Sequence, residues 1–156
     1  MSAIVLEAIA LEIAGLVRVV PVPTGAPGYG SDLSCADDLD ANLTELPGDS
    51  TLLLAQSTFH RLTTNRGDLP DDADYGWNVV ALLSKGLTQD GIRAAQSQIA
   101  AEVTKDDRIS ECTATIEQLS LKELRITVAC VVEATGEAFE LVIVVDSEGA
   151  WLEAVT

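Results

Sequence analysis

Basic charge is what this sequence has least of. Nine lysines and arginines stand against 25 aspartates and glutamates, for a formal net charge of −16. A protein that tracks a phosphate backbone neutralises it with Lys and Arg, so a nucleic-acid binder is not expected. Docking on an anionic membrane surface is not expected for the same reason. The charge suits solubility, or a place beside basic partners in an assembly. Histidine is scarce too, His60 being the only one. Cys35, Cys112 and Cys130 are the only cysteines and form no CxxC, an unhelpful set for a zinc site. Because three is odd, at least one thiol is unpaired within the chain. Cys112 and Cys130 read as small apolar residues on buried strand faces, and a reducing compartment is the simpler assumption. No motif requires a cofactor.

A long uninterrupted apolar run is also missing. The opening stretch MSAIVLEAIALEIAGLVRVVPVP is broken by Glu7, Glu12 and Arg18, whereas a membrane span needs roughly 20 mostly apolar residues. A secretory signal would place positive charge before its apolar core, and here Glu7 intervenes. Residues 1–24 therefore read as an arm that is apolar nearly all round and must bury itself in its own domain or in a partner. Pro21, Pro23, Gly25, Pro27, Gly28 and Gly30 form a hinge-like stretch beside it. The domain proper is expected over residues 25–156. The spacing Gly25-x-x-Gly28-x-Gly30 lacks the Lys-Ser/Thr of a phosphate loop.

Hydrophobic residues make up 47% of the chain, too many for disorder despite the charge. In CADDLDANLTELPGDS, Asp38, Asp40 and Asn42 alternate, but Leu43 stands where a calcium loop needs glycine. A solvated acidic turn is the better reading. Ser50 is placed to cap a helix over about Thr51 to Leu62. Gly67 and Pro70 then break the chain, and Gly67 suits a positive φ. A second helix is predicted after Gly76, carrying Val79, Val80, Leu82 and Leu83 and closing at Gly86. Thr88 or Asp90 caps a third, with Ile92, Ala95, Ile99 and Val103 on one stripe. After Asp107 the hydrophobic period changes to two. Cys112, Ala114 and Ile116 share one face, as do Leu124, Ile126, Val128, Cys130 and Val132, and then Phe139, Leu141, Ile143 and Val145. Thr135-Gly136 is a hairpin turn. The prediction is an α+β domain: about three helices packed on a small antiparallel sheet, a three-stranded meander in the C-terminal third.

Catalytic patterns are not evident. Nothing sets a Ser or Cys nucleophile against His60, which reads as a helix-surface residue. Paired-carboxylate hydrolysis needs two acids about 5–10 Å apart with pKa values pushed in opposite directions, and no pair stands out. The tripeptide Arg66-Gly67-Asp68 is accounted for by a turn.

The order of the pieces does carry a resemblance. Leu62, Thr63, Thr64, Arg66, Gly67, Tyr75 and Gly76 follow a Leu/Ile-Thr-Thr, basic, Gly, aromatic-Gly pattern. Asp106-Asp107-Arg108 stands between the last helix and the first strand. Together these resemble the baseplate wedge family of contractile phage tails, the W or gene-twenty-five-like proteins, with relatives in contractile injection and type VI secretion systems. The resemblance covers roughly Tyr29 to Ser147. The family carries Glu-Pro-Arg where this chain has Asp106-Asp107-Arg108, so the charges are kept and Asp107 replaces the proline.

The resemblance implies a non-enzymatic structural subunit of the virion baseplate, made in the host cytoplasm. Asp106, Asp107 and Arg108, with Arg66 and Gly67, would meet the helical bundle of neighbouring wedge subunits. Tail sheath would add to a sheet edge, and hub or tube proteins are further partners. An Arg at such a corner can make a bidentate contact with a carboxylate. The alternative for Arg108 is an internal clamp to Asp68, Asp72 or Asp106. Some of the wider family carry the label lysozyme-like, so peptidoglycan hydrolysis is the rival reading.

Overall fold

The computed structural model describes residues 29–35, 42–48, 50–85 and 88–156. The apolar arm, the Pro/Gly stretch up to Gly28, residues 38–40 of the acidic turn and Gly86 lie outside the described residues. Ser31–Thr156 forms one compact unit.

In chain order, β1 (Ser31–Leu33) and β2 (Glu45–Pro47) form a short antiparallel pair. Helix α1 (Thr51–Thr63) begins at Ser50, whose hydroxyl accepts from the Leu53 N–H at 3.2 Å. That bond satisfies one of the donors a helix start leaves open. A 3-10 helix covers Val79–Lys85, and α2 (Gln89–Val103) is capped by Thr88. Four strands follow: β3 (Ile109–Ser120), β4 (Glu123–Val132), β5 (Ala138–Val145) and β6 (Ala150–Val155). They pair antiparallel in the order β3-β4-β5-β6.

The mixed α+β architecture is as expected, but the three-stranded meander is not: the sheet has four strands. The missed strand, AWLEAV, is six residues long and buries no side chain fully. With two alanines and a glutamate it has little strand propensity of its own. It forms because the turn before it returns the chain to β5, Asp146 accepting from the N–H groups of Glu148 and Gly149. The second predicted helix is a tight 3-10 segment. It follows Asn78, which takes φ 51° and whose side chain accepts from the Val80 N–H.

The helices cover one face of the sheet, α1 packing on β5 and β6 and α2 on β3. The predicted alternation on β4 holds along its length: Leu124, Ile126, Val128, Cys130 and Val132 are all buried. Leu141, Ile143 and Val145 lie beside them on β5, with Leu54, Leu62, Ile99 and Val103 from the helices above. Each such side chain contributes about 1.5–3 kcal/mol of burial. The outer backbone edges of β3 and β6 have no strand partner among the described residues.

Candidate functional site

The stripe on α2 that buries Ala95, Ile99 and Val103 also carries Glu102 inward, to 2% exposure. A carboxylate moved out of water costs several kcal/mol unless charges and donors meet it. Here three cations do. Lys105 Nζ lies 2.7 Å and Arg66 Nη2 2.8 Å from Oε2, and Arg61 Nη1 lies 3.3 Å from Oε1. The Gly76 N–H donates to Oε1 at 3.3 Å. A carboxylate at a helix C-terminus also opposes the helix dipole, and the same cations offset that.

The cations come from the segment Arg61 to Gly76 and from the residue two after α2. Arg61, in the last turn of α1, places its guanidinium 4.3 Å from the centre of the Tyr75 ring, a cation–π contact. Its backbone carbonyl accepts from the Trp77 N–H at 3.1 Å, so the loop leaves and rejoins α1 at one point. The Arg66-Gly67-Asp68 tripeptide is a turn, with Asp68 N–H donating to the Asn65 carbonyl and Asn65 Nδ2 to the Asp68 carboxylate. Gly67 takes φ 89°. Gly76 takes φ 96°, and a Cβ there would lie 2.5 Å from the Thr64 carbonyl oxygen, so only glycine fits. Burial raises the pKa of the Tyr75 hydroxyl, the Arg61 cation opposing it and the carboxylates Asp106, Glu102 and Asp72 adding to it.

Beyond Lys105 the chain turns into β3 through the second motif. Of the three acceptors considered for Arg108, the structure has Asp106. Arg108 donates from Nε to Oδ1 at 2.9 Å and from Nη2 to Oδ2 at 2.6 Å, and its own N–H reaches Oδ1 at 3.1 Å. Nη1 reaches the Gly48 carbonyl after β2, and Nη2 reaches Ser57 Oγ on α1. The Arg108 side chain is 15% exposed. It thus ties three elements together instead of projecting. Burial pushes the Asp106 carboxyl up, but the hydrogen bonds and charge of Arg108, with the Arg61 charge, outweigh it and hold its pKa below the usual value. Asp107 is exposed.

The predicted site residues are therefore brought to one corner, where Asp106 and Arg108 contact each other directly. Arg66 joins Lys105 on Glu102, and Lys105 is the neighbour of Asp106. Gly67 is exposed in the loop above. No family model matches this chain, and no curated protein does. Glu102, Arg61 and Lys105, which build the corner, were not among the predicted site residues, and Tyr75 was read only as part of the first motif. One signal was there: Glu102 follows Ile99 by three positions, so a charge occupies a position of the apolar stripe. A charge on that stripe requires partners.

Chemically the corner is an ionic joint. Asp106 is held ionised by Arg108, which is opposite to what a general acid requires near neutral pH. Among the described residues, no three or more His, Cys, Asp and Glu side chains are grouped to hold a metal ion. His60 is half-buried and its Nε2 lies 3.2 Å from the Cys35 carbonyl, fastening the loop after β1 to α1.

Proposed function

We propose that this protein is a structural subunit of a contractile-tail baseplate, or of a related injection apparatus, and not an enzyme. The observation that supports this reading is the corner itself. The two stretches that carry the resemblance are about 30 residues apart in sequence, and Glu102 joins their neighbourhoods through Arg61, Arg66 and Lys105. A docking surface must be held rigid if binding is not to be spent on ordering it, and a buried carboxylate with three cations does that.

The partner-facing part of the corner is Asp107, Arg66 and Gly67, which are exposed, with Asp106 and Arg108 setting the turn beneath. The wedge helical bundle would meet it there, and a basic patch on that bundle would suit the charge of this chain. Sheath would add to an open sheet edge by strand augmentation. Edge strand β3 has 12 residues and β6 has six, so β3 offers the longer row of unpaired backbone groups.

The test is co-elution of the full chain with the wedge and sheath subunits encoded beside it. Wild type is expected to co-elute with both. Asp107→Lys is expected to keep its melting temperature and to lose about tenfold in wedge affinity, as for a reversed charge at an interface. A folded wild-type chain that binds neither partner would overturn the reading. Clearing of a cell-wall suspension, abolished by changing one carboxylate, would replace it with peptidoglycan hydrolysis.

A further inference from the structure

Two of the three cysteines face each other in the sheet. Cys112 on β3 and Cys130 on β4 are direct partners in the antiparallel register. Their sulfurs are 3.4 Å apart, Cys130 donating to Cys112, and neither is bridged. Directly opposed residues of antiparallel strands have Cα atoms about 4.5–5.5 Å apart. A disulfide accepts about 4.4–6.8 Å. The backbone is therefore already spaced for a bond, and only the two sulfurs have to close.

We propose that Cys112 and Cys130 form a reversible redox site, oxidised to a cross-strand disulfide by a small-molecule disulfide such as oxidised glutathione. Cys112 is the entry thiol. It is half-buried on an edge strand, while Cys130 is 1% exposed. The partly exposed Cys112 on edge strand β3 is where one end of a tripeptide disulfide would approach. The hydrogen bond from Cys130 favours the thiolate of Cys112 and lowers its pKa, burial opposing it, while the same bond and burial raise that of Cys130. Attack and resolution are thus divided between the two.

The step balances. The Cys112 thiolate attacks one sulfur of the glutathione disulfide, forming a mixed disulfide and expelling one glutathione thiolate. Cys130 gives up its proton and attacks the Cys112 sulfur, expelling the second. The cysteine pair loses two electrons and two protons. The glutathione disulfide gains two electrons, and its two thiolates take up the protons. The bond would pin β3 to β4 in their present register, on the strand with the longer open edge.

The experiment uses the whole chain. It is incubated folded with oxidised glutathione, alkylated, and read by intact mass and by non-reducing peptide mapping. The expected product has lost two hydrogens, links the Cys112 and Cys130 peptides, and carries alkyl only on Cys35. Dithiothreitol should reverse it, and the oxidised form should unfold at a higher denaturant concentration. In Cys130→Ala, which keeps the site small and apolar, glutathione should instead remain on Cys112. Alkylation of both Cys112 and Cys130 in the treated wild type would overturn the proposal. So would a wild-type mixed disulfide that never resolves, or a bridge that includes Cys35.

Discussion

The sheet and the corner are held by different physics. Along β4 every second side chain is buried and apolar, from Leu124 to Val132. At the corner one carboxylate, Glu102, is as deeply buried but is surrounded by Arg61, Arg66 and Lys105. Burial in the sheet is non-directional and tolerates exchange of similar side chains. The corner depends on particular donors meeting particular oxygens. Stability is thus concentrated in the sheet, and the fixed shape of the exposed loop in the corner.

That contrast makes the largest effect fall in the sheet. Leu141→Ala, at a fully buried position of β5, should cost roughly 4 kcal/mol, since the transfer and cavity terms add. Urea unfolding would measure it. A cost below about 1 kcal/mol would mean that the sheet is loosely packed.

Glu102→Ala should come next, at about 3 kcal/mol. Breaking a buried ion cluster leaves its partners uncompensated, although Arg66 and Lys105, with side chains 51% and 43% exposed, can turn to water. Arg66→Ala alone should cost under about 1 kcal/mol because the pair is half solvated. Equal costs for the two substitutions would show that the joint does not act through Glu102. Limited proteolysis separates stability from shape: Glu102→Ala should expose the loop between Asn65 and Asp74 well below the melting temperature.

The same contrast sets what could be read in the sequence. Alternation is a local pattern, so β3, β4, β5 and the Thr135-Gly136 turn were legible, as was the cap Ser50, while Thr88 was one of two candidates with Asp90. The strand β6 was not, because AWLEAV alternates weakly and is ordered by the turn before it and by pairing to β5. Nor was the β1/β2 pair, whose strands are three residues each and lie in a stretch dominated by acidic turn residues. The corner was legible only as two motifs. Which carboxylate Arg108 meets depends on the angle at which the chain leaves α2. That angle is a tertiary property, so Asp68, Asp72 and Asp106 stayed equivalent until the structure separated them.

The most specific effect concerns pH. Asp106 accepts two side-chain donors of Arg108, and its folded pKa lies below its unfolded value, about 3.9 for a free aspartate. A depressed carboxylate contributes stability that is complete above the unfolded pKa and is lost as pH falls through the folded one. Asp106→Asn keeps one acceptor and removes the charge, so it should cost about 1.5 kcal/mol near neutrality, the scale of a hydrogen bond to a charged group. The gap to wild type should hold down to roughly pH 5, narrow through ~3.9, and close below the folded value. Urea midpoints of the two proteins across that range would test it. A gap independent of pH would mean that the substitution acts through packing and that the Asp106–Arg108 pair adds nothing by its charge. A gap that follows the pH would mean that the corner beneath Asp107 is set by ionisation, and that it should loosen in acid before the sheet does.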